Sequence, residues 1–342
     1  MSPPLWQGST SVVPAAMPYL KIMPQHLFVP NATWSDAPAI DLPHLKMLWQ
    51  AWSPVATQHA PTDWASPIER LYAEALGIDT PDREAPLPFA ALADPAGKKD
   101  EPCAWVRPIQ VMSGMNEIMA QALPPKSLSA AESDTLISAM APLCHEDGMT
   151  LQAIEPTLWL LKGERLRGIT TPSLARARNQ HLAPYVPFVS AQIARQVPAA
   201  ADNLRWLLRL QNEVQMLYYT HPLNDARAAK RLPSVSGIWI EGAGHLSEPP
   251  RRSVEAIWLP NLSDTAGAHA DWVQAWQDID RNQLRPIYAG GSPDDRITFG
   301  NSDSAVTWQR CTTGLAAKIN RTRRQWGLQK MPTLPNALLN GA

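Results

Sequence analysis

The sequence predicts an α+β fold, a small mixed sheet with packed helices. Apolar residues recur at helical spacing over 129–143 and 202–220. Strand-like alternation or short apolar runs fall between and around them, at 104–111, 150–154, 157–161 and 235–240. The chain also carries 34 prolines in 342 residues, close to one in ten and about twice the usual share, which implies short elements and long irregular connections.

Taken in order, 1–16 shows no pattern and is expected to be a disordered extension, with Met17 or Met23 as alternative starts to Met1. An N-terminal region spans 17–100. It holds a buried strand over 25–30, stopped by Pro30, and helical spacing over 42–52 and 68–76, the latter closed by Gly77. The proline-rich stretch 80–101 reads as a hinge or exposed loop.

An α+β domain is expected over 101–250. Its first strand contains Pro108, which argues for a sheet edge. Ser129 and Glu132 form a capping-box pair ahead of Leu136, Ile137, Met140 and Leu143 on one helical face. Asp147-Gly148 makes a turn into two paired strands, and 172–180 is a second helix candidate. The long helix over 202–220 puts Leu204, Leu207, Leu208, Val214 and Leu217 on one stripe, with Asp202 as its cap and Pro222 as its stop. A short helix capped by Asn224 or Asp225 follows, then the strand and a Glu241-Gly242-Ala243-Gly244 exit loop. A C-terminal region, 251–342, packs on this domain. It contains a short apolar run over 254–259, a helix with Trp272, Trp276 and Ile279 on one face, a strand over 296–299 and a last helix bearing Leu315, Ile319, Thr322 and Trp326.

Composition excludes several classes. Charges nearly balance, 30 basic against 31 acidic residues, so the basic excess of a nucleic-acid binder is missing and no such partner is expected. No run approaches the ~20 apolar residues of a membrane span, and no membrane partner is expected. Cys103, Cys144 and Cys311 are too few and too scattered for a disulfide framework or a zinc site. They fit reduced thiols in a cytoplasmic protein. The 14 tryptophans supply bulky anchors for cores and interfaces.

Recognisable catalytic motifs are missing. Gly242-Ala243-Gly244 follows a strand, but Ser247 stands where a dinucleotide fingerprint needs its third glycine. His145-Glu146-Asp147 lacks a second cluster at metal-ligand spacing. No metal and no cofactor are expected. The basic residues Lys318, Arg321, Arg323 and Arg324 fit cations near a helix end.

One place combines a sharp turn, glycines and a permanent cation. Pro222 ends the long helix, so His221 and Asn224 lie at a turn. Arg227 offers a guanidinium fork, and Gly242 and Gly244 permit close backbone approach with free N–H groups. With Asn212 these residues form the candidate ligand site, suited to a carboxylate or phosphate. The same residues equally suit a fastening role, with the asparagines capping backbone and Arg227 paired with Asp225 or Glu241.

The order of motifs over 150–245 resembles archaeal-type cofactor-independent phosphoglycerate mutase. It runs through Lys162-Gly163, Thr170-Thr171-Pro172, Asn212-Glu213, the turn Thr220-His221-Pro222-Leu223-Asn224-Asp225-Ala226-Arg227, Pro233-Ser234 and Gly242-Ala243-Gly244. The resemblance implies the cap, or substrate, domain of that family. Lys162 replaces the family's arginine, no Asp-Pro-His follows Thr171, no Asp-Gly-x-Gly-Asp precedes residue 100, and His269 is the single histidine of 251–342. The family's two-metal core is therefore not expected. More of the chain resembles a bacterial family of RpfE-type regulatory proteins, through the Leu-Gln-Asn-Glu run at Leu210, the same Thr-His-Pro turn, the Asp-Trp-x-x-Ala-Trp helix from Asp271, and Ile297-Thr298-Phe299-Gly300 followed by Trp308. That resemblance implies a regulatory role.

Three functions remain open on these grounds. The first is a non-catalytic cytoplasmic regulatory or ligand-binding protein that recognises a small anionic metabolite, phosphorylated or carboxylated. The second is a mutase-like enzyme with an unrecognised site, and the third a tryptophan-rich scaffold that docks a protein partner.

Overall fold

Strands from both ends of the chain meet in one sheet, and the middle of the chain builds another. A computed structural model describes residues 24–33, 40–59, 64–78, 87–92, 100–113, 118–124, 126–177, 197–246, 254–259, 262, 269–310 and 322. The strands are β1 (Gln25–Pro30), β2 (Trp52–His59), β3 (Cys103–Ser113), β4 (Ile118–Ala122), β5 (Thr150–Glu155), β6 (Leu158–Lys162), β7 (Gly237–Gly244), β8 (Glu255–Trp258), β9 (Arg296–Gly300) and β10 (Ser304–Arg310). The helices are α1 (Pro43–Ala51), α2 (Pro67–Ala75), α3 (Ala130–His145), α4 (Leu174–Ala177), α5 (Ala200–Tyr219), α6 (Pro222–Ala229), α7 (His269–Ile279) and α8 (Arg285–Gly290).

The fold is α+β. The mixed sheet is made by the outer segments, in the order β2-β10-β9-β1-β8. β1 pairs in parallel with β8 and β9, and β10 runs antiparallel to β9 and β2. The crossover that parallel strands need is supplied by α7 and α8 between β8 and β9. The sheet of 103–244 is antiparallel throughout, because its neighbours are hairpins and returns. β3 is its centre, with β7 along one side and β6 then β4 along the other.

Pro108 is thus on a central strand, not an edge. Ser236 N–H donates to the Ile109 carbonyl and Val111 N–H to Ser236 Oγ, so odd positions there turn their backbone groups toward the β7 side. Pro108 turns the other way, between the last β6 pair at Val106 and the first β4 pair at Ile109. The missing N–H falls where one partner strand gives way to the next.

Two cores flank the sheets. Leu27, Val29, Trp52 and Phe299 of the mixed sheet bury against Leu45 and Trp49 of α1 and Trp272 and Trp276 of α7. Val106, Trp159, Leu161 and Ile240 bury against Leu136 and Met140 of α3 and Leu207, Leu210, Val214 and Tyr218 of α5. The Ser129–Glu132 capping box forms as expected. In α5 the buried stripe is rotated from the expected one: Asn203, Trp206, Leu207, Leu210, Val214 and Tyr218 are buried, while Leu204, Leu208 and Leu217 are half-buried. Ala199, not Asp202, precedes its first turn. The expected last helix lies outside the described residues, apart from the exposed Thr322.

Candidate functional site

The residues singled out at the turn after α5 are placed by local packing. Asn212 is exposed on α5. His221 begins the next helix. It is the N-cap of α6, and its Nδ1 accepts the Leu223 N–H at 3.1 Å. Asn224 stitches the turn to the strand that follows, with its Nδ2 donating to the carbonyls of Tyr218 and Val235 and its Oδ1 accepting the Val235 N–H. Arg227 is wholly buried and donates to the carbonyls of Pro233 and Ser127 and to Glu132 Oε1. Its carboxylate partner is Glu132, not Asp225 or Glu241.

Gly242 and Gly244 sit elsewhere. The expected exit loop is the second half of β7, buried throughout. From Val235 to Gly242 is roughly 20 Å along an extended chain, so the glycines and Arg227 do not converge. The N–H groups there are used: Gly242 N–H donates to the Thr171 carbonyl and Ala243 N–H to Thr171 Oγ1. Gly242 has φ +61°, and a Cβ there would stand 3.1 Å from the Ala90 backbone nitrogen. At this position glycine lets the 87–92 segment lie directly on the strand.

That close approach forms one side of a cavity of about 590 Å³. Alternation along β3 explains its floor. Ala104 and Val106 go into the core beneath α3 and α5, so Trp105 and Arg107 face the opposite side. Glu241 of β7 joins them there, and Thr171 and Ser173 come from the segment leading into α4. The roof is α2, which packs on Phe28 and Ala305 of the mixed sheet through Ile68 and Leu71 and turns Glu69 and Tyr72 to the cavity. Phe89 and Trp258 complete an aromatic wall with Tyr72, with ring centroids 4.9–6.3 Å apart. The cavity therefore lies between the two sheets, each lending one face. Beside it, the buried Arg176 of α4 donates to the Ser302 carbonyl and to Asp303, tying α4 to the β9–β10 turn.

The polar groups of the cavity are few and held in place. Glu241 Oε1 accepts Arg107 Nε at 2.5 Å, and its Oε2 accepts the Leu174 N–H at 2.7 Å. Glu69 Oε2 accepts both the N–H and the Oγ–H of Ser66, at 2.7 and 2.8 Å. Burial raises the Glu69 carboxyl above the ordinary carboxylate range. Hydrogen bonds from Ser173 and Ser66 work against this, and the nearby Glu241 adds to it. Such a site can bind, orient and shield a small molecule. Among the described residues no three His, Cys, Asp or Glu side chains gather as a metal site would require. No described helix is long and apolar enough to cross a membrane.

Of the expected site residues only Gly242 lines this cavity. Glu69, Arg107, Ser173 and the aromatic wall were not singled out from the sequence. Their only local signal is the alternation at 104–111, because the roof comes from residues far away in the chain.

No family model matches the chain, and no curated protein matches it. Solved structures give a distant likeness. A cofactor-independent phosphoglycerate mutase from Thermoplasma acidophilum is 13% identical, with 85% of this chain and 91% of that chain covered and a TM-score of 0.34. The PH0037 protein from Pyrococcus horikoshii is 11% identical, with 84% and 87% covered and a TM-score of 0.41.

Proposed function

We propose that this chain is a ligand-binding protein that holds a small, largely apolar molecule between its two sheets. The supporting observation is the cavity itself, about 590 Å³, with rings of Tyr72, Phe89, Trp105 and Trp258 on its sides and the Glu241–Arg107 pair and Glu69 as its polar fixtures. Volumes in this range suit a drug-sized ligand, and a mostly apolar lining with a few fixed polar groups is the usual build of such sites. The guanidinium on the cavity is paired with a carboxylate, which favours an apolar body over a phosphorylated one. A cytoplasmic regulatory role, as the RpfE-type resemblance implies, is part of this reading: ligand occupancy would report a metabolite level.

The test is a thermal-shift screen of the purified full chain against a metabolite collection, with Ala122→Trp as the control. Ala122 lines the cavity, and an indole there intrudes on the space a ligand would take. At least one compound is expected to raise the melting temperature of the native chain and not of the variant. Equal shifts in both proteins would place binding elsewhere and overturn the reading, as would the lack of any binder.

A further inference from the structure

The charge and ring arrangement of this cavity carries a narrower statement, which rests on the reading just given. We propose that the cavity's ligand bears an ammonium or amine group, seated at Glu69 beneath the ring of Tyr72.

Among the described residues, the charged side chains on the cavity are Glu69, Glu155, Glu241 and Arg107, three acidic and one basic. Their surroundings separate them. Glu155 is exposed at the rim. Glu241 is engaged at both oxygens, by Arg107 and by the Leu174 N–H. Glu69 is different: it is 6% exposed, and its hydrogen bonds come from the neutral Ser66 and Ser173. Burial in such a place disfavours the carboxylate, and an entering cation reverses that preference.

The helix adds the second element. Glu69 and Tyr72 are three residues apart on α2, so their side chains share one face, about 5–6 Å between Cβ atoms. Both side chains line the cavity, so a cation hydrogen-bonded to Glu69 has an aromatic ring on the same helical face, the kind of neighbour that cation–π attraction uses. Tyr72 packs against Trp258 at 4.9 Å between centroids, which holds the ring wall against the site. A carboxylate or phosphate placed there would meet Glu69 and Glu241 and no partner-free gain from Arg107, which already neutralises Glu241.

The experiment is a calorimetric titration of the full chain with four probes that share a phenyl body: 2-phenylethylamine, phenyltrimethylammonium, 2-phenylethanol and 3-phenylpropionate. The two cations are expected to bind at least about tenfold more tightly than the alcohol, and the carboxylate more weakly than the alcohol. Glu69→Gln keeps the size and the capping geometry. It is expected to erase the advantage of the cations over the alcohol. The probe series on the native chain decides the matter even where that variant fails to fold. An alcohol that binds as tightly as the amine, or a carboxylate that binds best, overturns the charge assignment and leaves the cavity reading standing. Absence of binding by all four at millimolar concentration overturns both.

Discussion

Arg227 of α6 and Glu132 of α3 form an ion pair at 3.0 Å in which the guanidinium is completely buried. Glu132 also closes the capping box of α3, so one carboxylate both starts that helix and anchors α6 to it. Its acidity reflects this. Burial opposes ionisation, but hydrogen bonds from Ser129 and Arg227 outweigh it and hold the carboxyl below its ordinary range. Removing one partner of a buried pair leaves the other uncompensated. Arg227→Ala should therefore cost about 3 kcal/mol, at the low end for such pairs because Glu132 is partly exposed. Arg227→Lys should recover little, since an ammonium cannot reach the carbonyls of Ser127 and Pro233 and Glu132 together. Urea denaturation measures both. A midpoint for Arg227→Ala within error of the native chain would mean that the buried pair adds no net stability.

What the sequence revealed and what it hid follow from the range of the interactions. The capping box, the Trp272–Trp276–Ile279 face and the strand at β1 are written within a few residues, and all were legible. The position of Pro108 was not, because a strand's place in a sheet depends on partners: β6 and β7 lie 50 or more residues along the chain. The turn after α5 was correctly placed, and Asn224 fastens it to backbone as one reading had it, but the cap of the following helix is His221 and not Asn224 or Asp225. A histidine followed by proline suits a helix end and a helix start equally, and only the Leu223 N–H decides between them. The cavity was the least legible feature. Glu69 sits in an amphipathic helix that looks ordinary until β3 and β7 close over it.

The face of α5 gives a graded test. Leu210 is 2% exposed within the core, and Leu217 is half-buried at its margin. Leu210→Ala should cost about 2–5 kcal/mol through lost transfer energy and the cavity left behind. Leu217→Ala should cost clearly less, on the order of 1 kcal/mol, because solvent can fill part of the space. Equal losses, or the reverse order, in chemical denaturation would mean that the helix is rotated.

Acid should act on the mixed sheet through His26. The ring stacks on Phe28 with centroids 4.1 Å apart, and its Nε2 lies 2.7 Å from Thr298 Oγ1. Burial, reinforced by the Arg296 guanidinium, lowers the imidazole from 6.5 to about 3. The unfolded chain thus binds this proton more readily than the folded one. The contribution is complete above 6.5 and is lost progressively as pH falls from there toward about 3. His26→Gln can keep a bond to Thr298 but has no proton to take up. Its stability should fall less steeply across that range than that of the native chain, as read from urea midpoints at successive pH values. Parallel curves would remove His26 as a source of acid sensitivity.

Helix α1 starts without a cap of its own: Leu42 at the N-cap position has no side chain able to accept a hydrogen bond. Pro43 needs no partner for its nitrogen, which leaves the next two N–H groups to be satisfied. Asp280, buried in the π-helical turn Asp280–Leu284 after α7, supplies both. Its Oδ1 accepts the Leu45 N–H at 2.7 Å, and its Oδ2 accepts the His44 N–H at 3.2 Å and bonds His44 Nδ1 at 2.8 Å. A carboxylate more than 200 residues away thus does the work of an N-cap and fixes α1 to the helices between β8 and β9. Loss of a side-chain cap costs about 0.5–2 kcal/mol. Asp280→Ala should reach or exceed the top of that range, because it also strands the buried Leu45 N–H and the half-buried His44 N–H. Leu42 is itself buried, so its replacement by aspartate has a cost of its own in the native chain. In the Asp280→Ala background, however, Leu42→Asp restores a local acceptor for the same N–H groups. The two substitutions should therefore be less damaging together than the sum of their separate effects. A double-mutant cycle with strictly additive losses would show that Asp280 acts through packing and not as the cap of α1.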